Sequence, residues 1–263
     1  MQQKQKRENT KFALISVLSL FVFLCIWWFI TDVLRLMPST ALPSPIAVVR
    51  TFFVKLHDPA PEGATLIQHI VASLHVTGIG YSLGALVGIP LGILMAWYKP
   101  VDMFVRPLFD LLRPIPGIAW IPLMLIIFGI GVSSRATVIF MAALIACLIN
   151  TYSGIRQTKQ VHLWVGRTFG ATNFQLLVRV AIPTSLPMIL TGLRVALGAS
   201  WMSLVAAELL ASTRGLGFMI QQSRGIFRPD IIIAGMIAIG GIGALLAKLI
   251  TLLEKKLLKG GRW

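Results

Sequence analysis

The fold class of this chain follows from one uncharged run, VTGIGYSLGALVGIPLGILMAW (residues 76–97). A helix needs about 20 mainly apolar residues to cross the hydrocarbon core of a bilayer, and this run is long enough. Four of its five glycines recur at every fourth position, and residues four apart share one face of a helix. The run therefore predicts a membrane-spanning helix with a groove for a second helix, formed by Gly80, Gly84, Gly88 and Gly92. Helix packing is favoured over direct contact with a substrate.

The composition of the whole chain also indicates a membrane protein. Of 263 residues, 56% are hydrophobic and 13% are charged, whereas about 25% are charged in an average soluble domain. The mean hydropathy is +0.83. A net charge of +15 would favour a nucleic-acid partner in a soluble protein, but here the basic residues lie at the ends of apolar runs. The histidines and cysteines lack metal-ligand spacing, so no metal site is predicted.

Five further apolar runs complete a prediction of six spans. They cover residues 12–30, 117–130, 137–155, 188–210 and 231–253. The run at 12–30 exceeds the apolar core of a signal peptide and no cleavage pattern follows it, so it is predicted to be an uncleaved anchor. The run at 117–130 is short and rich in proline, and it is predicted to cross obliquely, to pack inside the bundle or to need its flanks.

The distribution of Lys and Arg predicts the orientation. Sixteen of the 24 basic residues fall at the two chain ends and in the second and fourth connections, and seven fall in the other connections. The positive-inside rule then places both termini in the cytoplasm, which requires an even number of crossings. We predict a cytoplasmic N-terminus over 1–11, a six-helix transmembrane domain over 12–253 and a cytoplasmic tail over 254–263.

The basic connection at 156–187 is predicted to form a helix–turn–helix element under the membrane. It is too apolar for a disordered linker and too polar to cross, and Gly170 marks a break between two short helices. Pro183 and Pro187 are predicted to limit helix continuation before the fifth span. The pattern leaves two functions open, namely an amphipathic helix resting on lipid headgroups and a docking element for a cytoplasmic partner.

Three stretches resemble the permease subunits of binding-protein-dependent ABC importers, in the branch that handles taurine, aliphatic sulfonates and nitrate. They are LPSP (42–45), RPIPGIAWIPLMLIIFGIG (113–131) and GRTFGATNFQLLVRVAIPTSLPMILTGLRVALGASWMSLVAAELLASTRGLGFMI (166–220). The importer signature runs Glu-Ala-Ala, three residues, Gly, nine residues, Ile, one residue, Leu-Pro. Gly170 and Pro183 match it, and Val180 and Ile182 are conservative replacements. Trp164, Val165 and Gly166 replace Glu-Ala-Ala. An ion pair that the signature glutamate makes in relatives is therefore not expected in this chain.

The resemblance implies an all-α membrane protein of the type I ABC importer permease fold, with six transmembrane helices and a cytoplasmic coupling helix. It implies a permease that moves a small sulfonate such as taurine by alternating access in the bacterial cytoplasmic membrane, as a homodimer. Separate ABC ATPase subunits would bind ATP and Mg, and an extracytoplasmic substrate-binding protein would deliver the substrate. The chain itself would be no enzyme and hold no cofactor, and it lacks a GxxxxGK[ST] phosphate loop. The alternatives are nitrate or another small organic compound as substrate, or an ion-coupled secondary carrier.

Two sets of functional residues are predicted on this basis. The resemblance implies that the ATPase contact comprises Gly166, Arg167, Thr168, Phe169, Gly170, Ala171, Thr172, Asn173, Phe174 and Pro183. Polar and aromatic residues inside the spans are candidates for the substrate pathway: Arg194, Asn150, Ser200, Trp201, Ser203 and Glu208. Arg194 can meet an anionic substrate, snorkel to the headgroups or pair internally, and Glu208 is expected to meet Arg214 or solvent. The outer loops at 31–75 and 211–230 are the expected docking surfaces for the binding protein.

Overall fold

The computed structural model describes residues 2–259, and within them all regular secondary structure is helical. The helices are α1 (Gln2–Trp28), α2 (Pro45–Lys55), α3 (Leu66–Trp97), α4 (Lys99–Leu112), α5 (Ile121–Phe128), α6 (Val132–Arg156), α7 (Gln160–Thr168), α8 (Asn173–Leu176), α9 (Ile182–Ala211), α10 (Leu216–Gly225) and α11 (Pro229–Lys259). Residues 260–263 of the predicted cytoplasmic tail, and Met1 of the predicted N-terminal segment, lie outside the described residues.

Within residues 2–259, five helical segments are long and apolar enough to cross a membrane. They are Leu14–Val33, Leu66–Trp97, Val132–Arg156, Asn173–Leu210 and Pro229–Lys256. A sixth is obtained if Lys99–Leu112 and Gly117–Phe128 form one broken span, with an angle of 86° between its halves. Pro116 is extended at this break, with φ −64° and ψ 143°, because proline and the residue before it disfavour continuation of a helix.

Three predicted spans begin at least five residues earlier than their hydropathy indicated, and one of them is the fifth, which begins at Asn173 and not at residue 188. The second begins at Leu66 and not at residue 76, so the predicted outer loop at 31–75 contains α2 and the first turns of α3. The fourth begins at Val132 and not at residue 137. The added turns carry Ser73 and Arg135, which are buried with polar partners, and hydropathy alone cannot detect such compensation.

The second span contains Pro90, and α3 continues through it. Prolines are tolerated in membrane helices where neighbouring helices support the backbone.

The helices group into two compact units. Unit 1 comprises Met1–Ile67 and Met219–Ile237, and unit 2 comprises Gln68–Phe218 and Ala238–Trp263.

Unit 1 is held together by polar contacts between α2 and the segments around it. The Lys55 ammonium group forms a buried ion pair with Glu62, whose second carboxylate oxygen accepts a hydrogen bond of 2.8 Å from the Ser223 hydroxyl. The Thr51 hydroxyl donates a hydrogen bond of 2.8 Å to Asp230. Two turns of α2 thereby fix both the loop that follows α2 and the start of α11, because each buried charge has a partner.

In unit 2, α6 fills the glycine groove of α3. A Cβ atom built at Gly80 would lie 2.6 Å from the Ala136 carbonyl oxygen, and one at Gly92 would lie 2.9 Å from the Leu148 carbonyl oxygen. Real side chains do not pack so closely, so the glycines permit an approach that larger residues would prevent. Successive glycines meet successive turns of α6 in the same order, and α3 and α6 therefore run parallel.

The short segment between α3 and α6 runs in the opposite direction. Gly117 lies beside Ala142, with 3.7 Å between a Cβ built at the glycine and the alanine Cβ, whereas Ile121 packs with Val138. The order along α6 is reversed, so α5 is antiparallel to α6. This is the direction required of a crossing between two parallel helices. One face of α5, with Ile121 and Met124, packs against α6 and α9, whereas Ile126 and Phe128 on its other side are exposed.

Candidate functional site

The connection between α6 and α9 forms a compact hairpin, here called the connecting hairpin (residues 160–176). It consists of α7, a turn and α8, as the break at Gly170 predicted. Gly170 has a φ of +78°, and its amide donates to the Arg167 carbonyl oxygen at 2.9 Å, while the Ala171 amide donates to the Gly166 carbonyl oxygen at 3.0 Å. This pair of bonds is the Schellman arrangement that ends a helix with a left-handed glycine.

The second helix of the hairpin starts with a reciprocal cap. The Thr172 hydroxyl accepts a hydrogen bond from the Gln175 amide at 3.3 Å, and the Gln175 side chain accepts one from the Thr172 amide at 2.9 Å. A Cβ atom built at Gly166 would collide with the Leu176 side chain. Gly166, which replaces the last alanine of the importer signature, therefore lets α7 lie directly against α8.

The outer face of the connecting hairpin is apolar and exposed. Phe169 is 86% exposed and Phe174 is 67% exposed, and Val161, Trp164 and Val165 are exposed beside them, whereas Leu163 is buried. Large exposed aromatic groups are unusual on a protein surface and mark sites of protein–protein or membrane contact. The predicted ATPase-contact residues Gly166 to Phe174 all lie in this hairpin, and Pro183 lies beyond it in α9.

The hairpin continues into α9 without a break, so the predicted helix limit at Pro183 and Pro187 is wrong. A π-helical turn, Leu177–Ala181, joins α8 to α9. The backbone hydrogen bonds of this turn join residues five apart, one more than in an α-helix. Pro183 lies in the first turn after the π turn, where the N–H donor that proline lacks costs little. Leu177 and Ala181 pack against Ala96 and Ile155, so the base of the hairpin is anchored in the core of unit 2. The second helix of the hairpin, the π turn and α9 therefore form one continuous helical segment.

Most predicted pathway residues have partners inside unit 2. Arg194 pairs with Glu254 of α11 at 3.2 Å, which is the internal pairing considered for it. The Trp201 indole donates to the Ile239 carbonyl oxygen at 3.2 Å, whereas Ser200 is fully buried and its hydroxyl has no hydrogen-bond partner among the described residues.

Two predicted pathway residues lie at close helix contacts. Asn150 faces Gly192 of α9, with 2.8 Å between the Asn150 Cβ and a Cβ built at the glycine, and its amide donates within α6 to the Ala146 carbonyl oxygen at 2.8 Å. The Ser203 hydroxyl faces Gly117, with 2.9 Å to a Cβ built there. A pathway role for Arg194, Asn150, Ser200, Trp201, Ser203 and Glu208 stays a prediction.

Glu208 lies at the centre of a buried polar network. Only 1% of this residue is exposed, so the expected contact with Arg214 or solvent is wrong. Its carboxylate accepts hydrogen bonds from the Ser73 hydroxyl at 2.8 Å and from the Gly217 amide at 2.9 Å, and it lies 3.7 Å from Arg135 Nη1. The carboxylate thus joins α3, α6 and α9 to the segment at 212–217, which comprises the loop before α10 and the first two residues of α10.

Glycine is required where this loop covers Glu208. Gly215 has a φ of +141°, and a Cβ atom there would collide with the Glu208 carboxylate. A Cβ at Gly217 would lie 2.7 Å from Glu208 Cβ. The Gly215 amide donates to His69 Nδ1 at 3.1 Å, and the Leu216 amide donates to Ser73 at 3.0 Å. The two glycines let the backbone itself supply donors around the buried charge.

The sequence prediction missed the partners of Glu208. Glu208 is the sole acidic residue of the predicted fifth span, and Arg135 stands just before the predicted fourth. A buried carboxylate needs a countercharge, so this pair of charges near two span ends was a usable signal. No comparable signal indicated Ser73 or His69, because serine and histidine occur in many helices without such a role.

We expect replacement of Glu208 by Ala to destabilise the protein by about 3–5 kcal/mol, because it leaves Arg135 buried without its countercharge. Thermal unfolding of the purified protein in detergent measures this effect. The matched control is Glu254→Gln, which breaks the half-exposed pair with Arg194 and should cost about 1 kcal/mol or less. Equal losses for the two variants would contradict the importance of the buried pair.

Comparison with known proteins places this architecture among transport proteins. The family described as "Binding-protein-dependent transport system inner membrane component" matches residues 88–259. The chain is 37% identical to the taurine transport system permease protein TauC of Escherichia coli (strain K12), over 92% of this chain and 88% of the relative. It is 33% identical to a protein of Bacillus subtilis (strain 168) named as an aliphatic sulfonates transport permease, SsuC, over 90% of this chain and 84% of that relative. Its fold is similar to that of a chain of the inward-facing MetNI methionine ABC transporter, with a TM-score of 0.63 and 18% sequence identity. The match covers 74% of this chain and 95% of that chain.

Proposed function

Because this chain belongs to the family of inner membrane components of binding-protein-dependent transport systems, we propose that it transports a small sulfonate such as taurine. It acts as a translocation subunit and is not itself catalytic. Two copies form the pathway, a separate ATPase binds ATP and Mg and drives the cycle, and an extracytoplasmic protein delivers the substrate. The similarity to relatives named for taurine and aliphatic sulfonates supports the substrate class.

The observation that carries this proposal is the exposed aromatic face of the connecting hairpin. Phe169 and Phe174 project from a hairpin whose turns are fixed by hydrogen bonds and whose base is packed in the core. An ATPase that binds this face can push or pull α9 directly, since the π turn joins the hairpin to α9 without a gap. The residues Gly166 to Phe174 form the contact with the ATPase.

The orientation of the chain follows from its basic residues and from the direction of its helices. The two chain ends, the second connection and the connection at 156–187 that contains the hairpin carry 16 of the 24 Lys and Arg residues, which favours the cytoplasmic side for them. The parallel arrangement of α3 and α6 requires a crossing between them, and the broken α4–α5 segment supplies it. We therefore propose six crossings, with the hairpin and both termini in the cytoplasm of a bacterial cell.

Uptake of labelled taurine tests the proposed function. The chain is expressed with its ATPase and binding-protein partners in a bacterial strain that lacks sulfonate uptake. We expect ATP-dependent uptake that unlabelled alkanesulfonates inhibit and nitrate does not. An ATPase variant that cannot hydrolyse ATP should abolish uptake, whereas an ionophore that collapses the proton gradient at constant ATP should not. Nitrate-sensitive uptake would contradict the substrate class, and ionophore-sensitive uptake without need for the ATPase would indicate a secondary carrier.

A further inference from the structure

A groove with a basic lining lies in unit 2 where α3, α6 and the loop at 212–217 meet. Its volume is about 430 Å³, and its polar lining consists of His75, Arg135, Thr213 and Arg214. No carboxylate is among the described residues that line it. Ala72, Val76 and Val132 supply an apolar wall. The volume falls within the range of small-molecule sites, which is about 300–1,000 Å³.

Arg135 is held rigidly at the floor of this groove. Its Nε donates to the Gly131 carbonyl oxygen at 3.0 Å, and its Nη1 donates to the Ser212 hydroxyl at 2.8 Å and to the Arg214 carbonyl oxygen at 3.1 Å. Glu208 lies behind it and fixes the same nitrogen from inside the protein. The Nη2 group has no hydrogen-bond partner among the described residues. A guanidinium group fixed on one side and unused on the other is preorganised to bind an anion.

The second cation of the groove has no countercharge. Arg214 is exposed, and across residues 2–259 no described carboxylate lies within ion-pair distance of it. Its backbone is nevertheless fixed, since its carbonyl accepts from Arg135 and its amide donates to the Ser212 hydroxyl at 3.2 Å. The loop therefore holds Thr213 and Arg214 at the rim of the groove, above the buried Arg135.

We propose that this groove binds the sulfonate group of the transported compound at the outer end of the pathway, which rests on the proposed function and its orientation. A sulfonate carries three acceptor oxygens and one negative charge, and two guanidinium groups and a threonine hydroxyl can donate to all three. The apolar wall lies where the alkyl chain of the substrate would extend. Glu208 is a positioning residue for this site, since it holds Arg135 and the loop in place without lining the groove.

Direct binding to the full-length protein in lipid nanodiscs tests this proposal without its partner proteins. Titration with ethanesulfonate and with taurine should show saturable binding, and ethanolamine, which carries the cation and not the sulfonate, should not bind. We expect Arg214→Gln to weaken ethanesulfonate binding about tenfold, because it removes one charge-assisted contact. Thr213→Val, at an exposed position, should weaken it by a smaller factor.

Arg224→Gln is the matched control, because Arg224 is an exposed arginine that does not line the groove. It should leave the dissociation constant unchanged. Equal weakening by Arg214→Gln and Arg224→Gln would show a general effect of surface charge and overturn the site. Unchanged ethanesulfonate binding by Arg214→Gln would also overturn the site. This includes the result in which the variant binds ethanesulfonate normally but needs a higher concentration of binding protein to stimulate the ATPase.

The two proposals fail in distinguishable ways. If the wild-type transporter takes up labelled taurine but Arg214→Gln and Thr213→Val bind ethanesulfonate normally, the groove is not the site and the proposed function stands. If the wild-type transporter takes up no sulfonate in cells, the proposed function fails, and the groove loses its proposed ligand as well.

Discussion

Replacement of Gly170 by Val is expected to lower the amount of substrate transported per ATP by about tenfold. Gly170 ends α7 with a φ of +78°, a conformation that costs a β-branched residue about 1–2 kcal/mol. A Cβ atom at this position meets nothing within 4 Å, so the variant can fold and the strain acts on the turn itself. The exposed face with Phe169 and Phe174 is then displaced relative to α9, and ATP hydrolysis continues without transport.

Two controls separate this effect from strain in general. Gly170→Asn should behave almost as wild type, because asparagine tolerates the left-handed conformation. Gly129 has a φ of +70° and equally empty surroundings, but it lies between α5 and α6. Gly129→Val should leave coupling intact. Parallel measurement of uptake and ATPase activity gives the amount of substrate transported per ATP hydrolysed. A normal value of this ratio in Gly170→Val would refute the role of the hairpin.

Replacement of Gly84 by Leu is expected to give the largest loss of folded protein. A Cβ atom at Gly84 would lie 2.5 Å from Ala143 Cβ, 2.8 Å from the Phe140 carbonyl oxygen and 2.9 Å from the Leu144 amide nitrogen. Two of these three atoms belong to the backbone of α6, which cannot rotate away as a side chain does. Overpacking costs about 1–3 kcal/mol where side chains can adjust, and more is expected here because the two helices must separate.

Gly78→Leu is the matched control for this variant. Gly78 lies in the same helix, is exposed, and has nothing within 4 Å of a built Cβ atom. The yield of monodisperse protein in detergent and its thermal unfolding should be near wild type for Gly78→Leu and severely reduced for Gly84→Leu. Comparable yields for both variants would show that the glycine groove does not hold the helices together.

Much of the connecting hairpin was predictable because its signals are local. A glycine followed two residues later by a threonine cap determines a turn and a new helix through hydrogen bonds between near neighbours, as Gly170 and Thr172 show. The prediction that the helix is limited at Pro183 was wrong for a different reason. A proline usually limits a helix, but a π turn stabilised by burial of Leu177 and Ala181 carries the helix through it. That burial depends on residues distant in the sequence.

The sequence by itself determined that this chain is a helical membrane protein with a glycine groove, and that its basic residues cluster at one set of connections. These properties follow from hydropathy, from the periodicity of one helix and from local turn chemistry, none of which needs a partner. Only the tertiary structure decided that α6 fills the groove, that Glu208 is buried against Ser73 and Arg135, and that a basic groove forms beside them. These features join residues far apart in the chain, and the stability of a buried charge depends on which groups surround it.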